Sequence, residues 1–203
     1  MKTISNELAA AIKPLEMKLK LMWFGVFPVS GIYIFIAWKQ ASEERGTAIV
    51  SNQMLPIAVV LGLMVLLQSF VCRWFTLSPH GLVKVVSGKQ PAWLKRIANP
   101  ESPQAKAALK QEHIDALEGD ELKLYQYSGC LMSAVLIQWG LVNTCALFGM
   151  MLPPVQCQPA GAIVAGVLSA TCMLFHFPNI GSAFASGLEL AEFEKGMNRE
   201  QDG

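Results

Sequence analysis

Hydrophobic residues are concentrated in four long runs of this chain, separated by polar and charged stretches. The runs are Leu21–Trp38, Met54–Leu77, Ser128–Leu152 and Ala160–Phe177. A helix that crosses the roughly 30 Å hydrocarbon core of a bilayer needs about 20 apolar residues, because each residue adds about 1.5 Å. Each run has about that length, and Arg73 is the one formal charge inside them. The pattern therefore predicts four transmembrane helices.

A shorter amphipathic pattern precedes the first run. Apolar residues recur there at steps of three and four, as on one face of a helix: Leu8, Ala11, Ile12, Leu15 and Leu19. Pro14 predicts a kink or two shorter pieces, since proline removes a helical hydrogen bond. We expect this segment to lie on the inner membrane surface or to dock onto a partner protein.

The connection between the second and third runs, residues 78–126, is the one sizeable polar stretch. It is too short to bury a useful core alone, so we expect it to lie against the membrane or a partner. Ser102 and Pro103 predict the start of a helix, as cap and first residue. Gly119 is expected to break or bend that helix before the third run.

A second amphipathic helix is predicted after the fourth run, in the stretch Gly181–Glu200. Phe184, Leu188 and Ala191 mark its apolar side, and Gly196 is expected to end it. The fold class is therefore all-α, a polytopic membrane protein with four transmembrane helices and flanking amphipathic helices. Its parts are an N-terminal amphipathic segment at 1–20, transmembrane helices 1 and 2 at 21–77, a cytoplasmic helical loop at 78–126, transmembrane helices 3 and 4 at 127–180, and a C-terminal cytoplasmic helix and tail at 181–203.

Composition agrees with this class. Hydrophobic residues make up 53% of the chain and charged residues 15%, against about 25% charged in soluble domains. The net charge of +1 and the lack of a dense Lys/Arg run exclude nucleic acid as a partner. The first run is followed by no small-residue cleavage site, which favours a retained helix over a signal peptide.

The placement of positive charge predicts the orientation, because Lys and Arg collect on cytoplasmic segments. The N-terminal tail and the middle loop carry most of these residues: Lys2, Lys13, Lys18, Lys20, Lys84, Lys89, Lys95, Arg96, Lys106, Lys110 and Lys123. The connection Pro153–Pro159 has no charge. We expect both termini in the cytoplasm, and the short connections suggest a bacterial inner membrane.

Small residues in the fourth run are spaced four apart, in two rows. They are Gly161, Ala165 and Ser169 in one row, and Ala162, Gly166 and Ala170 in the next. Such rows let helix backbones approach closely in lipid. They predict packing of the third and fourth runs as a hairpin, or oligomerisation through a spare row.

Intramembrane polar residues are costly and often functional. In the third run they are Gln138 and Asn143, which would partly share a side. Their amides cannot change charge, so we expect hydrogen bonds across helices, worth about 0.6 kcal/mol each on average. The alternative is that both face the pore of a homo-oligomeric channel.

Metal binding is conceivable at one place. Cys172 and His176 are four residues apart and share a helix face, and Cys72 and Cys130 have a similar predicted depth. Zinc or copper accepts such ligands, yet no C-x-x-C motif is present. These residues are weak metal candidates, and we expect no cofactor.

Two other pairings stay open at this stage. A haem held by His80 and His176 is one, and a disulfide between Cys145 and Cys157 is the other. For the cysteines the ordinary alternative is simple packing, because buried cysteine behaves as a small apolar side chain. For His176 it is a position at the membrane interface, where the imidazole reaches water or a carbonyl.

The stretch Gln138–Gly149 reads QWGLVNTCALFG. It resembles the second helix of the ring-forming proteolipid subunits of rotary ATPases, and small bacterial four-helix membrane proteins with an A-L-x-E-x-x-x-x-x-G pattern. The proton-carrying glutamate of the ring proteins corresponds to Asn143, which neither binds nor releases a proton at biological pH. The resemblance therefore does not extend to proton translocation.

The sequence contains no glycine-rich phosphate loop and no recognisable nucleophile–base pair, so we expect no enzymatic activity. The expected function is a non-catalytic membrane subunit, a scaffold or accessory component of a larger complex. Its partners would be the lipid bilayer and other membrane subunits, or further copies of itself. The alternatives are a channel or transporter subunit, and a membrane metal or redox protein that uses Cys172 and His176.

Overall fold

The computed structural model describes residues 4–43, 54–97, 99, 101–156 and 159–201. Within these ranges every regular element is a helix, which confirms the all-α class. The helices are α1 (Asn6–Glu43), α2 (Met54–Leu77), α3 (Pro79–Val86), α4 (Ala92–Ile97), α5 (Pro103–Ala107), α6 (Gln111–Ala116), α7 (Gly119–Gln156), α8 (Pro159–Phe175) and α9 (Ile180–Gln201).

Two helices of the described chain are long and apolar enough to cross a membrane. These stretches are Val59–Leu77 in α2 and Gly119–Phe148 in α7. The number rises to three if Ala165–Phe175 and Ile180–Met197, which are separated by a short break, are counted as one span. The chain thus has the features of a multi-pass membrane protein. Side chains in parts of the first and fourth runs lie outside the described residues.

The chain divides into two compact units. Unit 1 consists of Met1–Lys20, Cys72–Leu136 and Pro178–Gly203. Unit 2 consists of Leu21–Val71 and Ile137–Phe177. Helices α1, α2 and α7 contribute residues to both units, so three of the unit boundaries fall inside helices.

The amphipathic segments form the core of unit 1. Leu8, Ile12 and Leu19 of the N-terminal stripe are buried, as are Phe184 and Leu188 of the C-terminal stripe. Both stripes were thus recognised correctly as apolar faces. The apolar face of the N-terminal segment is buried within this chain, and the placement of the segment on the inner membrane surface or on a partner stays a prediction. Burial of apolar surface stabilises by about 25 cal/mol per Å².

Two carboxylates fix the N-terminal segment within unit 1. Glu121 of α7 accepts hydrogen bonds from the backbone N–H of Ser5 (3.0 Å) and from its hydroxyl (2.6 Å). The same hydroxyl accepts from the N–H of Leu8 (3.1 Å) and caps α1. Glu16 accepts from the N–H of Gly181 (3.1 Å), at the beginning of α9. A carboxylate there satisfies a free amide and complements the positive end of the helix dipole.

The helix predicted after Ser102 is present but shorter than expected. The Ser102 hydroxyl accepts from the N–H of Ala105 (3.1 Å), which confirms the cap. Helix α5 ends at Ala107, however, and α6 begins only after Lys110, whose backbone is extended and whose N–H donates to the Tyr125 hydroxyl (3.0 Å). Gly119 separates α6 from α7 with a positive φ of 58°, a conformation that favours glycine.

Helices α1 and α9 are longer than the sequence suggests. Helix α1 is continuous through Pro14 and Pro28, and α9 is continuous through Gly196. The expected division at Pro14 and the expected end at Gly196 are therefore wrong. Proline is tolerated inside long membrane helices where neighbouring groups satisfy the freed carbonyl.

Gly187 is a point of close approach between α3 and α9. A Cβ atom on Gly187 would lie 2.7 Å from Cβ and 3.1 Å from Cδ1 of Leu82, which is fully buried. The Leu82 Cβ is fixed to the α3 backbone and cannot swing away. The two helices can therefore remain in contact only if position 187 has no side chain.

We predict that Gly187→Ala destabilises unit 1 by about 1–3 kcal/mol, the usual cost of overpacking a filled core. Gly196→Ala in the same helix is the matched control, since no atom lies within 4 Å of its would-be Cβ. This control should be neutral or stabilise by up to about 1 kcal/mol. Thermal unfolding of the detergent-solubilised variants, followed by circular dichroism, measures both. Equal melting temperatures for the two variants would refute the close approach.

Candidate functional site

A network of buried polar side chains joins α1, α7 and α8 inside unit 2. The Ser30 hydroxyl lies 2.9 Å from Oδ1 of Asn143 and 3.1 Å from the hydroxyl of Ser169. Ser30 and Ser169 are fully buried and Asn143 is 8% exposed. We call these three residues the serine–asparagine clasp. It brings together the predicted polar residue Asn143 and the predicted packing residue Ser169.

The orientation of the Asn143 amide follows from its second hydrogen bond. Its Nδ2 donates to the carbonyl of Trp139, one turn earlier in α7, at 3.0 Å. The amide oxygen is thereby directed to Ser30, from which it accepts. An amide with both ends engaged in this way holds α1 and α7 in one relative position, because a flip would set two acceptors against each other.

The two serine hydroxyls have one hydrogen each, but they make three contacts: with Asn143, with each other and with the Val142 carbonyl. Ser30 donates its hydrogen to Asn143, and Ser169 lies within 2.9 Å of the Val142 carbonyl and 3.1 Å of the Ser30 oxygen. Since Ser169 has one hydrogen, it donates to one of these acceptors at a time. Every member is neutral over the biological pH range, so the clasp connects helices and carries no net charge.

Two indole rings satisfy carbonyls at the end of α8. The Trp23 Nε1–H donates to the Met173 carbonyl (3.0 Å) and the Trp139 Nε1–H to the His176 carbonyl (3.2 Å). The last carbonyls of a helix lack the usual helical partner; the Met173 carbonyl also accepts from the His176 N–H (3.1 Å), and the indole is its second donor. In hydrocarbon each such group left alone costs several kcal/mol. The indoles of α1 and α7 therefore stabilise the end of α8.

His176 is buried and surrounded by carbonyl oxygens. Its Nδ1 lies 2.7 Å from the Cys172 carbonyl, and its Nε2 lies 3.4 Å from the Ser69 carbonyl of α2. A neutral imidazole has one N–H and donates to one of these two carbonyls, according to its tautomer. The Phe70 ring packs edge-on, with 5.2 Å between ring centroids. Cys172 therefore contacts His176 through its main-chain oxygen.

Cys172 and His176 are the weak metal candidates of the sequence. Across the described residues, no three His, Cys, Asp or Glu side chains come together as a metal ion requires. Cys145 is a free thiol, and its Sγ would lie 3.6 Å from a Cβ on Gly62 of α2. Cys157 lies outside the described residues, so the disulfide it would form with Cys145 does too.

The small residues of α8 have different environments. In the described part of the helix Gly166 and Ser169 are buried, whereas Ala165 and Ala170 are half-buried. The side-chain surroundings of Gly161 and Ala162 lie outside the described residues. Gln138, the other predicted polar residue, is fully buried in unit 2.

Sequence reasoning missed the contribution of α1 to this site. Ser30 was not singled out and no helix partner was predicted for Trp23, although each supplies a hydrogen bond to a helix distant in sequence. A signal was available, because Ser30 and Tyr33 are the two hydroxyl residues of the first run. A buried hydroxyl in lipid requires a partner, and that requirement marks Ser30 as a contact residue.

Comparison of the chain with protein-family models, with curated proteins and with solved structures gives no match. The resemblance of Gln138–Gly149 to proteolipid subunits stays a prediction.

We predict that Asn143→Leu destabilises the protein by about 1–2 kcal/mol. The change removes two hydrogen bonds and leaves the Ser30 hydroxyl and the Trp139 carbonyl without that partner. Gln68→Leu is the matched control, because Gln68 is an exposed amide in α2. The control should be neutral or slightly stabilising in detergent. Thermal unfolding of both variants decides the matter, and an Asn143→Leu variant as stable as the control would contradict the clasp.

Proposed function

We propose that this protein is a non-catalytic integral membrane subunit, a scaffold or accessory component of a larger membrane complex. The observation that carries the proposal is that the buried polar side chains of the clasp and of the α8 end are used in hydrogen bonds between helices. The polar groups of the clasp and of the α8 end bond to one another and to helix carbonyls. They are thereby occupied in holding helices together.

The outer surface of α2 supports a lipid or protein environment. Its exposed apolar residues within unit 2 are Val59, Val60, Leu61, Leu63, Met64, Leu67, Phe70 and Val71. A continuous apolar surface of this kind marks contact with a membrane or another protein. Contact with lipid and contact with another protein are both expected for a subunit of a membrane complex, whose neighbours are lipids and partner helices.

Four spans with both termini in the cytoplasm form part of the proposal. Unit 1 combines both terminal segments with the middle loop, the three segments that the charge pattern assigns to one side. The charge pattern assigns the middle loop and both tails to one side, so each pair of apolar runs leaves that side and returns to it. A segment that leaves one side of a membrane and returns to it crosses an even number of times. A bacterial inner membrane is the location we propose.

The two other functions place different demands on the same residues. A pore would need Gln138 and Asn143 to face water, and both are buried, with Asn143 bonded to Ser30. A redox or metal protein would need the Cys172 thiol and the His176 ring on one ion, and the ring faces two carbonyls instead. For these reasons we favour the scaffold.

The proposal is tested by purification of the tagged full-length protein from membranes in a mild detergent. We expect a partner protein in stoichiometric amount, or a self-assembled oligomer, by size exclusion with mass determination. The Gly196→Ala variant should give the same assembly, since position 196 has open space around it. A protein that purifies as a lone monomer in both forms would refute the proposed function.

A further inference from the structure

A basic cleft lies in unit 1 between α3, the first turn of α7 and α9. Its volume is about 390 Å³, within the range of sites that hold small ligands. Buried Val83, Val86 and Ala191 provide apolar surface. Cationic side chains surround them: Lys84, Lys89, Lys123, Lys195 and, when protonated, His80.

The cleft has an excess of positive charge. Four lysines face two carboxylates, Asp120 and Glu194, which leaves a net charge of +2 with His80 neutral. Asp120 engages Lys195 (2.5 Å) and Lys123 (3.7 Å). Lys84 and Lys89 form no ion pair with any residue that the structure describes, and Lys84 Nζ lies 5.1 Å from the Phe75 ring centroid. Neither ammonium group is neutralised by a carboxylate of the described chain, so both can contact an external anion.

The cleft is formed where candidate membrane spans end. The span Val59–Leu77 stops directly before α3, and Asp120 and Lys123 precede the uncharged stretch Leu124–Phe148 of α7. Trp74 stacks on His80 with 5.8 Å between ring centroids and is 56% exposed. Exposed tryptophan is typical of the headgroup layer. The lysines of the cleft would therefore lie at the depth of lipid phosphates.

We propose that this cleft binds the phosphate of an anionic phospholipid headgroup. Lys84 and Lys89 would contact the phosphate, and the apolar surface of Val83 and Ala191 would contact the glycerol and first acyl carbons. Lysines at a membrane surface attract anionic lipid, and basic pockets beside membrane helices are suited to such headgroups. The inference rests on the membrane placement in the proposed function. A lipid is favoured over a soluble phosphate because the basic rim adjoins apolar surface at a span end.

The test uses the full-length protein in a zwitterionic detergent. Short-chain phosphatidylglycerol is titrated against phosphatidylcholine of the same chain length, and bound lipid is counted by native mass spectrometry. We expect phosphatidylglycerol to bind at least about tenfold more tightly, and the preference to shrink in high salt. Equal binding of the two lipids would overturn the proposal.

Paired variants locate the site. The double substitution Lys84→Gln with Lys89→Gln should weaken phosphatidylglycerol binding by about tenfold to thirtyfold. Each lysine near an anionic lipid surface raises the affinity by roughly fivefold, and the two effects multiply. Lys106→Gln with Lys110→Gln removes the same charge from exposed positions outside the cleft and should change affinity less than about twofold. The charge-conserving pair Lys84→Arg with Lys89→Arg should retain binding. Equal losses in the cleft pair and the outside pair would contradict the site.

The source of the phosphate is distinguished by competition. Glycerol phosphate, which has the headgroup chemistry without acyl chains, should not displace phosphatidylglycerol at equal concentration; displacement would overturn the lipid assignment. The co-purification experiment is independent of this result. Loss of lipid preference with a partner still bound refutes the cleft alone, whereas a lone monomer that retains the preference refutes the proposed function alone.

Discussion

The constraint on which this structure depends is that polar groups in hydrocarbon must find partners within the protein. Unit 2 meets it by three devices. The clasp connects α1, α7 and α8; the Trp23 and Trp139 indoles bond the carbonyls at the end of α8; and His176 lies against carbonyls of α8 and α2. The clasp and the indoles use neutral donors, so neither device has to desolvate an ion. Helix association in lipid depends on such bonds and on close packing, because burial of apolar surface gives little advantage there.

Unit 1 builds its hydrophobic core from three segments, each of which is too short to form a core alone. The N-terminal segment, the middle loop and the C-terminal helix each have an apolar face, and the buried residues Leu8, Leu82 and Phe184 come from all three. Glu121 and Glu16 fix helix beginnings by accepting backbone N–H groups. The absence of a side chain at Gly187 lets α3 meet α9. Burial of apolar surface drives the assembly of unit 1. The hydrogen-bonded carboxylates of Glu121 and Glu16 hold the beginnings of α1 and α9 in place.

The sequence predicted the lengths of apolar helices and their polar positions well, but it predicted the hydrogen-bond partners of those positions poorly. Helix α2 has the bounds of the second apolar run, because a long uninterrupted run needs no tertiary contact to define it. The break between α5 and α6 was not predictable, since it depends on the Tyr125 hydroxyl that takes the Lys110 N–H. Asn143 was identified as a polar contact, yet its partner Ser30 was not, because sequence gives the depth of a residue but not the rotation of its helix.

The central claim is that lipid is the solvent for the apolar helices, and alkaline extraction of membranes from expressing cells tests it most directly. Carbonate at high pH releases proteins held by surface contacts but leaves those that span the bilayer. We predict that the protein stays in the membrane pellet and leaves it only with detergent. Recovery in the supernatant as a monodisperse species without detergent would contradict the account.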